Sequence, residues 1–147
     1  KQGVETLPIT HTEMTRFWIS LQGGVDFVLK NFERMLGGEI FIPKIPSINI
    51  VDLAKAMAPH LPIEEIGIRP GEKLHEVMCP KDDSYHTYEY EDHYVIAPTI
   101  KFAKPIDYST NFLSEKGVHV AHGFEYNSGN NDEWLSDDEF LKIIEKI

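Results

Sequence analysis

The chain has few of the features that would place it quickly. One cysteine, Cys79, stands in 147 residues, so no internal disulfide can form. No Cys or His pair has zinc-ligand spacing. A single thiol fits a reducing, cytoplasmic compartment. Basic residues are scarce: 14 Lys and Arg against 24 Asp and Glu leave a net charge of -10. A general nucleic-acid or anionic-membrane binder needs a basic face, so both partner classes are disfavoured. One local anion site built from a few arginines remains possible. No apolar run approaches the roughly 20 residues of a membrane-spanning helix, and the start, "KQGVETLPIT", has no signal-peptide core. Glycine-rich loops of the dinucleotide (GxGxxG) and P-loop types are missing, and so is a GxSxG elbow. No Tyr is followed four residues later by Lys. Repeats and low-complexity tracts are absent too.

What is present reads as an ordinary globular domain. Hydrophobic residues make up 41% and charged residues 26%, and the length suits one domain. "ETLPIT" is a short extended segment with a proline, suited to an edge or loop. "GGVDFVLKNFERML" has Val25, Val28, Phe32 and Leu36 at helical spacing, with Gly37 and Gly38 as the stop. "GEIFIP" is a compact apolar strand, and its run predicts burial on both faces, as in a parallel sheet. "SINIVDLAKAMA" predicts a second helix capped by Ser47 or Asn49, with Ile50, Leu53, Ala54 and Met57 inward. "IEEIGI" predicts a strand delivering Arg69, and "GEKLHEVM" a short helix with Leu74, Val77 and Met78 inward. "TYEYEDHYVIAP" predicts a hairpin turning near Glu91 and Asp92. The stretch from Thr110 to Trp134 is rich in Gly, Asn and Ser and predicts irregular backbone, with a surface arm as one form. "SDDEFLKIIEKI" predicts a closing helix with a capping box from Ser136 to Glu139, and Asp137 and Asp138 add favourable charge at its start.

Three features carry chemical interest. In "GIRPGEKLHE", Arg69 and Glu72 flank a Pro-Gly turn. They could form a surface ion pair, or Arg69 could take phosphate while Glu72 accepts from sugar hydroxyls. Arg16, in "EMTRFWIS", is either a surface arginine beside a buried aromatic pair or a phosphate clamp. Seven histidines (His11, His60, His75, His86, His93, His119 and His122) invite a metal reading, but none forms HExxH, so no metal is assigned. Cys79 follows an apolar stretch and reads as a packed thiol.

Taken in order, "PITHTEMTRFWISLQGGVDFVL", "GGEIFIPKIPSINIVDLAKA", "IGIRPGEKLHEVM" and "FEYNSGNNDEWL" resemble the inverting UDP-N-acetylglucosamine 4,6-dehydratase family. That family begins pseudaminic acid biosynthesis for flagellin glycosylation. Capsular-polysaccharide dehydratases and epimerases are its close relatives. The resemblance covers essentially the whole chain, and "MTRFWI" with "RPGEKLHE" is specific in combination. It implies an α/β fold: the C-terminal, UDP-sugar-binding part, residues 1–147, of an extended short-chain dehydrogenase. That part would be mostly helices with a few strands and a hairpin. The N-terminal Rossmann portion, which would bind NADP and carry the catalytic Asp, Lys and Tyr, would lie outside this chain. No catalytic residue and no cofactor is therefore expected here.

The implied chemistry is a hydride transfer from sugar C4 to NADP, loss of water across C5 and C6, and hydride return to C6 with inversion at C5. The resemblance implies Arg69 on phosphate, Glu72 on ribose hydroxyls, Arg16 near the diphosphate, and Ile9 and Thr10 along the uridine. His11 departs from the family pattern, where Asp commonly follows "PIT". "SGNN", from Ser128 to Asn131, recurs in the family without an evident role. The full-length enzyme would be a homo-oligomer. The chain alone would be inactive, poorly stable or self-associating. Two other readings stand beside this one: a capsule-type epimerase or dehydratase relative, and a non-catalytic UDP-sugar-binding module.

Overall fold

The computed structural model describes residues 5–100 and 105–144. In chain order the elements are β1 (Leu7–Ile9), β2 (Thr15–Phe17), α1 (Leu21–Arg34), β3 (Ile40–Pro43), β4 (Ser47–Asn49), α2 (Ile50–Met57), β5 (Ile63–Glu65) and β6 (Val77–Cys79). A 3₁₀ turn (Lys81–His86), β7 (Thr87–Glu89), β8 (His93–Ile96), β9 (Val118–His119), β10 (Tyr126–Asn127) and α3 (Asp137–Ile144) follow. The fold is mixed α/β, but the expected helical majority is wrong. Among the described residues there are three α-helices against ten short strands. By their contacts the residues fall into two compact units. Unit one takes residues 1–18, 45–76 and 127–147, and unit two takes 19–44 and 77–126.

In unit one, β1 and β5 pair in parallel and β2 and β4 antiparallel. Asn49 caps α2: its side-chain oxygen accepts from the Val51 amide at 2.7 Å, while Ser47 lies in β4. Helix α2 turns Ala54 inward, but Met57 is exposed. The Ser136–Glu139 capping box opens α3 as expected, with the Ser136 amide donating to the Glu139 carboxylate at 3.0 Å. Phe140, fully buried, packs edge-on against Trp18 with ring centroids 5.0 Å apart.

In unit two, four strands run in the order β3-β8-β7-β9. The β7–β8 hairpin turns where the sequence placed it. Strand β3 corrects its expectation. It is an antiparallel edge strand on β8 rather than part of a parallel sheet. Both its faces are covered, by burial of Ile42 (4% exposed) on one and packing of Phe41 against the core on the other, and its first residue, Ile40, is 60% exposed at the strand end. Tyr90, Val95 and Tyr108 form the core, with Leu36, Phe41, Tyr88 and Ala97 packed on it.

Helix α1 exists but faces the opposite way from its apolar stripe. Ser20 caps it, accepting from the Gly23 amide at 3.0 Å. Val25, Val28 and Phe32 are exposed, as are Leu21 and Leu29. The residues it buries are Asn31 and Arg34. Arg34 is 1% exposed, and two carboxylates hold it: Asp92 at 2.8 and 2.9 Å, and Glu115 at 2.7 and 3.1 Å. Its Nη1 donates to Asn31 Oδ1 at 3.3 Å, so each guanidinium nitrogen has a partner that offsets part of the cost of burying the charge. The 110–134 stretch is irregular, but it is no free arm, since Asn111, Val120, Tyr126 and Ser128 are buried.

"GEKLHEVM" is not a helix. Residues 70–75 are turns and bends, and Val77 to Cys79 are strand β6, paired with β10. Backbone groups that a helix would use internally go elsewhere. The Leu74 carbonyl accepts from the Thr15 amide (3.1 Å), and the Glu76 carbonyl accepts from the Ser128 amide (2.8 Å).

Candidate functional site

In the parallel pair β1 and β5, both strands run the same way, so their carboxyl ends share an edge. The Ile66 amide still donates to the Ile9 carbonyl at 2.8 Å. Thr10 and the loop after β5 therefore leave the ladder side by side. The crevice outside strand carboxyl ends is where α/β sheets tend to bind ligands.

The loop from Gly67 to Gly71 is shaped by its ends. Both glycines have positive φ, 86° and 82°, in the left-handed region that a side chain resists. Nothing crowds either position, so backbone angle rather than space selects glycine there. The turn closes through the Glu72 amide donating to the Arg69 carbonyl at 3.0 Å. The Arg69 amide in turn donates to Glu72 Oε2 at 3.3 Å. Arg69 is exposed, and its guanidinium makes no hydrogen bond or ion pair among the described residues. Arg69 and Glu72 are thus not an ion pair with each other.

Glu72 faces Arg16 instead. Arg16 Nη2 lies 3.8 Å from Glu72 Oε1, and Nε lies 3.5 Å from Glu76 Oε1. Arg16 Nη1 donates to the carbonyls of Thr15 (2.7 Å) and Leu74 (3.2 Å). Arg16 therefore joins β2 to the 72–76 segment. It is about three-quarters buried, with Phe17 and Trp18 partly buried beside it, so it is not the surface arginine of the first reading. Ile9 is in the core, and its carbonyl is taken by the Ile66 amide.

His11 fills the local role an Asp would have. Its Nδ1 accepts from the Glu13 amide at 3.1 Å, the contact an Asp carboxylate makes in an Asx turn. Its Nε2 then faces Glu65 Oε1 at 3.9 Å, and Glu65 also accepts from the Thr12 amide at 3.2 Å. Sequence reasoning passed over Glu65, Thr15, His75 and Glu76. The two-residue spacing from Glu13 back to His11 was the one local signal for this turn.

Cys79 is a packed thiol. It is fully buried, its Sγ lies 3.4 Å from Thr87 Oγ1, and burial pushes its pKa up. No group of three or more His, Cys, Asp or Glu side chains among the described residues is placed to hold a metal. No helix among them is long and apolar enough to cross a membrane.

The family described as polysaccharide biosynthesis protein matches residues 1–98. The chain belongs to that family. It is 61% identical over 97% of its length to a UDP-N-acetylglucosamine 4,6-dehydratase (inverting) of Campylobacter jejuni subsp. jejuni serotype O:2. A UDP-glucose 4-epimerase of Rickettsia akari is 33% identical over 98% of the chain. The chain spans 43% of the first of these relatives and 42% of the second. The X-ray structure of Pen from Bacillus thuringiensis matches 97% of the chain and 40% of its own, with a TM-score of 0.71 and 26% identity. The dehydratase resemblance read from the motifs stands on the first match, and the epimerase is more distant.

Proposed function

We propose that the chain is the UDP-sugar-binding part of an inverting UDP-N-acetylglucosamine 4,6-dehydratase. The single observation that carries this is Arg69: a free guanidinium on a loop held by two left-handed glycines, beside a fixed Glu72, at the carboxyl end of β1 and β5. A guanidinium fork matches two oxygens of a diphosphate. A carboxylate suits the vicinal hydroxyls of a ribose. Thr10 leaves β1 beside that loop, where a uridine would lie, and Arg16 adds positive charge behind Glu72. The 61% identity to the Campylobacter dehydratase supports the reaction class.

These residues do not form a site for NADP. The sequence holds no glycine-rich dinucleotide loop. The cofactor, and the groups that move protons, would belong to an N-terminal portion of the protein outside this chain. The role of this chain is to bind and orient the nucleotide end so that the hexose reaches that chemistry. The full-length protein would be a cytoplasmic homo-oligomer supplying a UDP-4-keto-6-deoxy-hexosamine, with pseudaminic acid and flagellin glycan as the branch the inverting resemblance favours.

The test is incubation of the full-length protein with UDP-N-acetylglucosamine and NADP, followed by NMR of the product. A 4-keto-6-deoxy sugar with inverted C5 is expected. A C4 epimer would replace this reading with the epimerase one, and binding without turnover would favour a non-catalytic module. The isolated chain should give no product.

A further inference from the structure

We propose that the turn from Asn127 to Asn131 is a positioning element, and that Ser128 and Gly129 hold the Arg16 and Glu72–Glu76 segments in register. This rests on the sugar-nucleotide reading above and assigns these residues no contact with the ligand.

Ser128 is fully buried. Its hydroxyl accepts from the Glu76 amide at 2.9 Å, lies 2.7 Å from Thr15 Oγ1, and reaches the Thr15 carbonyl at 3.2 Å. Its own amide donates to the Glu76 carbonyl at 2.8 Å. One side chain thus ties together two segments that lie 113 and 52 residues away in sequence. Thr15 Oγ1 extends the chain of contacts to His75 Nδ1 at 2.8 Å.

Gly129 completes the fit. A Cβ there would lie 2.6 Å from His75 Nδ1 and 2.7 Å from its Cγ, closer than real side chains approach. Its φ is not in the left-handed region, so space, not backbone angle, selects glycine.

The rest of the turn is held rigid from the other side. Asn127 Oδ1 accepts from the Gly129 (2.8 Å) and Asn130 (2.9 Å) amides. Asn131 Nδ2 donates to the Ile45 carbonyl (2.8 Å) and lies 3.0 Å from Ser47 Oγ. Ser47 begins β4, the partner strand of β2, which carries Arg16. Arg16 is itself bonded to the Leu74 carbonyl. A shift of residues 74–76 would therefore move Glu72, Glu76 and the Arg16 fork together. The hydroxyls of Ser128 and Thr15 act on ligand affinity through those three.

The test uses the full-length enzyme with UDP-N-acetylglucosamine as substrate and UDP as inhibitor. The variants are Ser128→Ala, Thr15→Val (same shape, no hydroxyl), Thr15→Ser (hydroxyl kept) and Arg69→Ala. Ser128→Ala and Thr15→Val are expected to raise KM and the UDP inhibition constant roughly fivefold, the factor for one net hydrogen bond, with kcat per folded enzyme held. Thr15→Ser should return both constants toward those of the unaltered enzyme. A purely structural role would lower thermal stability or active fraction and leave KM and UDP inhibition unmoved, and that result overturns the proposal. If Arg69→Ala weakens UDP while Thr15→Val and Ser128→Ala do not, the positioning role alone fails. If Arg69→Ala leaves UDP untouched as well, the sugar-nucleotide reading falls with it. Should Ser128→Ala not fold, the Thr15→Val and Thr15→Ser pair decides the question.

Discussion

Replacing Arg69 by Ala separates a binding role from a turn-forming one, because the structure gives the side chain nothing to hold in the unliganded fold. The bonds that close its loop are made by backbone: the Glu72 amide to the Arg69 carbonyl at 3.0 Å, and the Arg69 amide to Glu72 Oε2 at 3.3 Å. Alanine keeps both. Folding stability should therefore change by no more than about 0.5 kcal/mol, as for an ordinary surface substitution. Ligand binding should change much more. A charge-assisted hydrogen bond contributes about 1.5–3 kcal/mol, and an exposed position favours the lower part of that range. About 1.5–2 kcal/mol corresponds to a UDP affinity weaker by about 10- to 30-fold. Arg69→Lys should recover part of the loss, since a point ammonium cannot reproduce the fork. Added salt should narrow the gap between the two proteins, because the charge is screened. Calorimetric titration of UDP into the full-length protein, paired with a melting curve, reads both quantities. Unchanged UDP affinity, or an equal loss of NADP affinity, would show the loop to be a structural turn and refute the ligand assignment.

Three further outcomes follow from unit two. Arg34→Met removes the partner of two carboxylates that keep some solvent (45% and 37% exposed), so destabilisation of about 3 kcal/mol, the low end for breaking a buried pair, is expected in urea denaturation. A loss under about 1 kcal/mol would mean the cluster holds little. Acid should destabilise the fold in two stages. Burial depresses the His93 pKa, so the unfolded chain binds the extra proton and stability declines as pH falls below about 6.5. Burial would raise Asp92, but bonds from His93, Arg34 and Lys30 outweigh it and hold it well below the usual carboxylate range, and Arg34 lowers Glu115. Their contribution is complete above about pH 4 and is lost below it. A denaturation midpoint that stays flat from pH 7 to pH 3 would contradict this, and Arg34→Met should flatten the lower limb. The exposed stripe on α1, with Phe32 67% and Leu21 88% exposed, should make the isolated chain self-associate in sedimentation velocity. Phe32→Lys should reduce that association, and a stable monomer at high concentration would count against it.

Local signals were legible wherever the answer was local. The β7–β8 hairpin, the Ser136–Glu139 capping box and the helix in "GGVDFVLKNFERML" each depend on residues within a turn or two of one another, whereas the expected Gly37–Gly38 stop was misplaced, because α1 ends at Arg34 with Met35 already extended. So does the loop that presents Arg69, because its glycines and its Glu72 lie within five residues. "GEKLHEVM" failed for the opposite reason. Its backbone partners are Thr15 and Ser128, and no window on the segment contains them. The same holds for β3, whose partner β8 turned an expected inner strand into an antiparallel edge.

By itself the sequence determined which residues share a helix face, where the chain turns, which family motifs it carries, and that Arg69 and Glu72 sit together on one loop. Tertiary structure alone decided what each face meets. Periodicity places Val25, Val28 and Phe32 on one stripe, but it cannot say that Asn31 and Arg34 are the buried side, since the carboxylates matching Arg34 lie 58 and 81 residues away. It also decided that Arg16, not Arg69, faces Glu72, and that a serine hydroxyl with no apparent role joins the two segments carrying them. The physical reason is the same throughout: a polar group's worth depends on its partner's position, and that position is set only when distant segments close on one another.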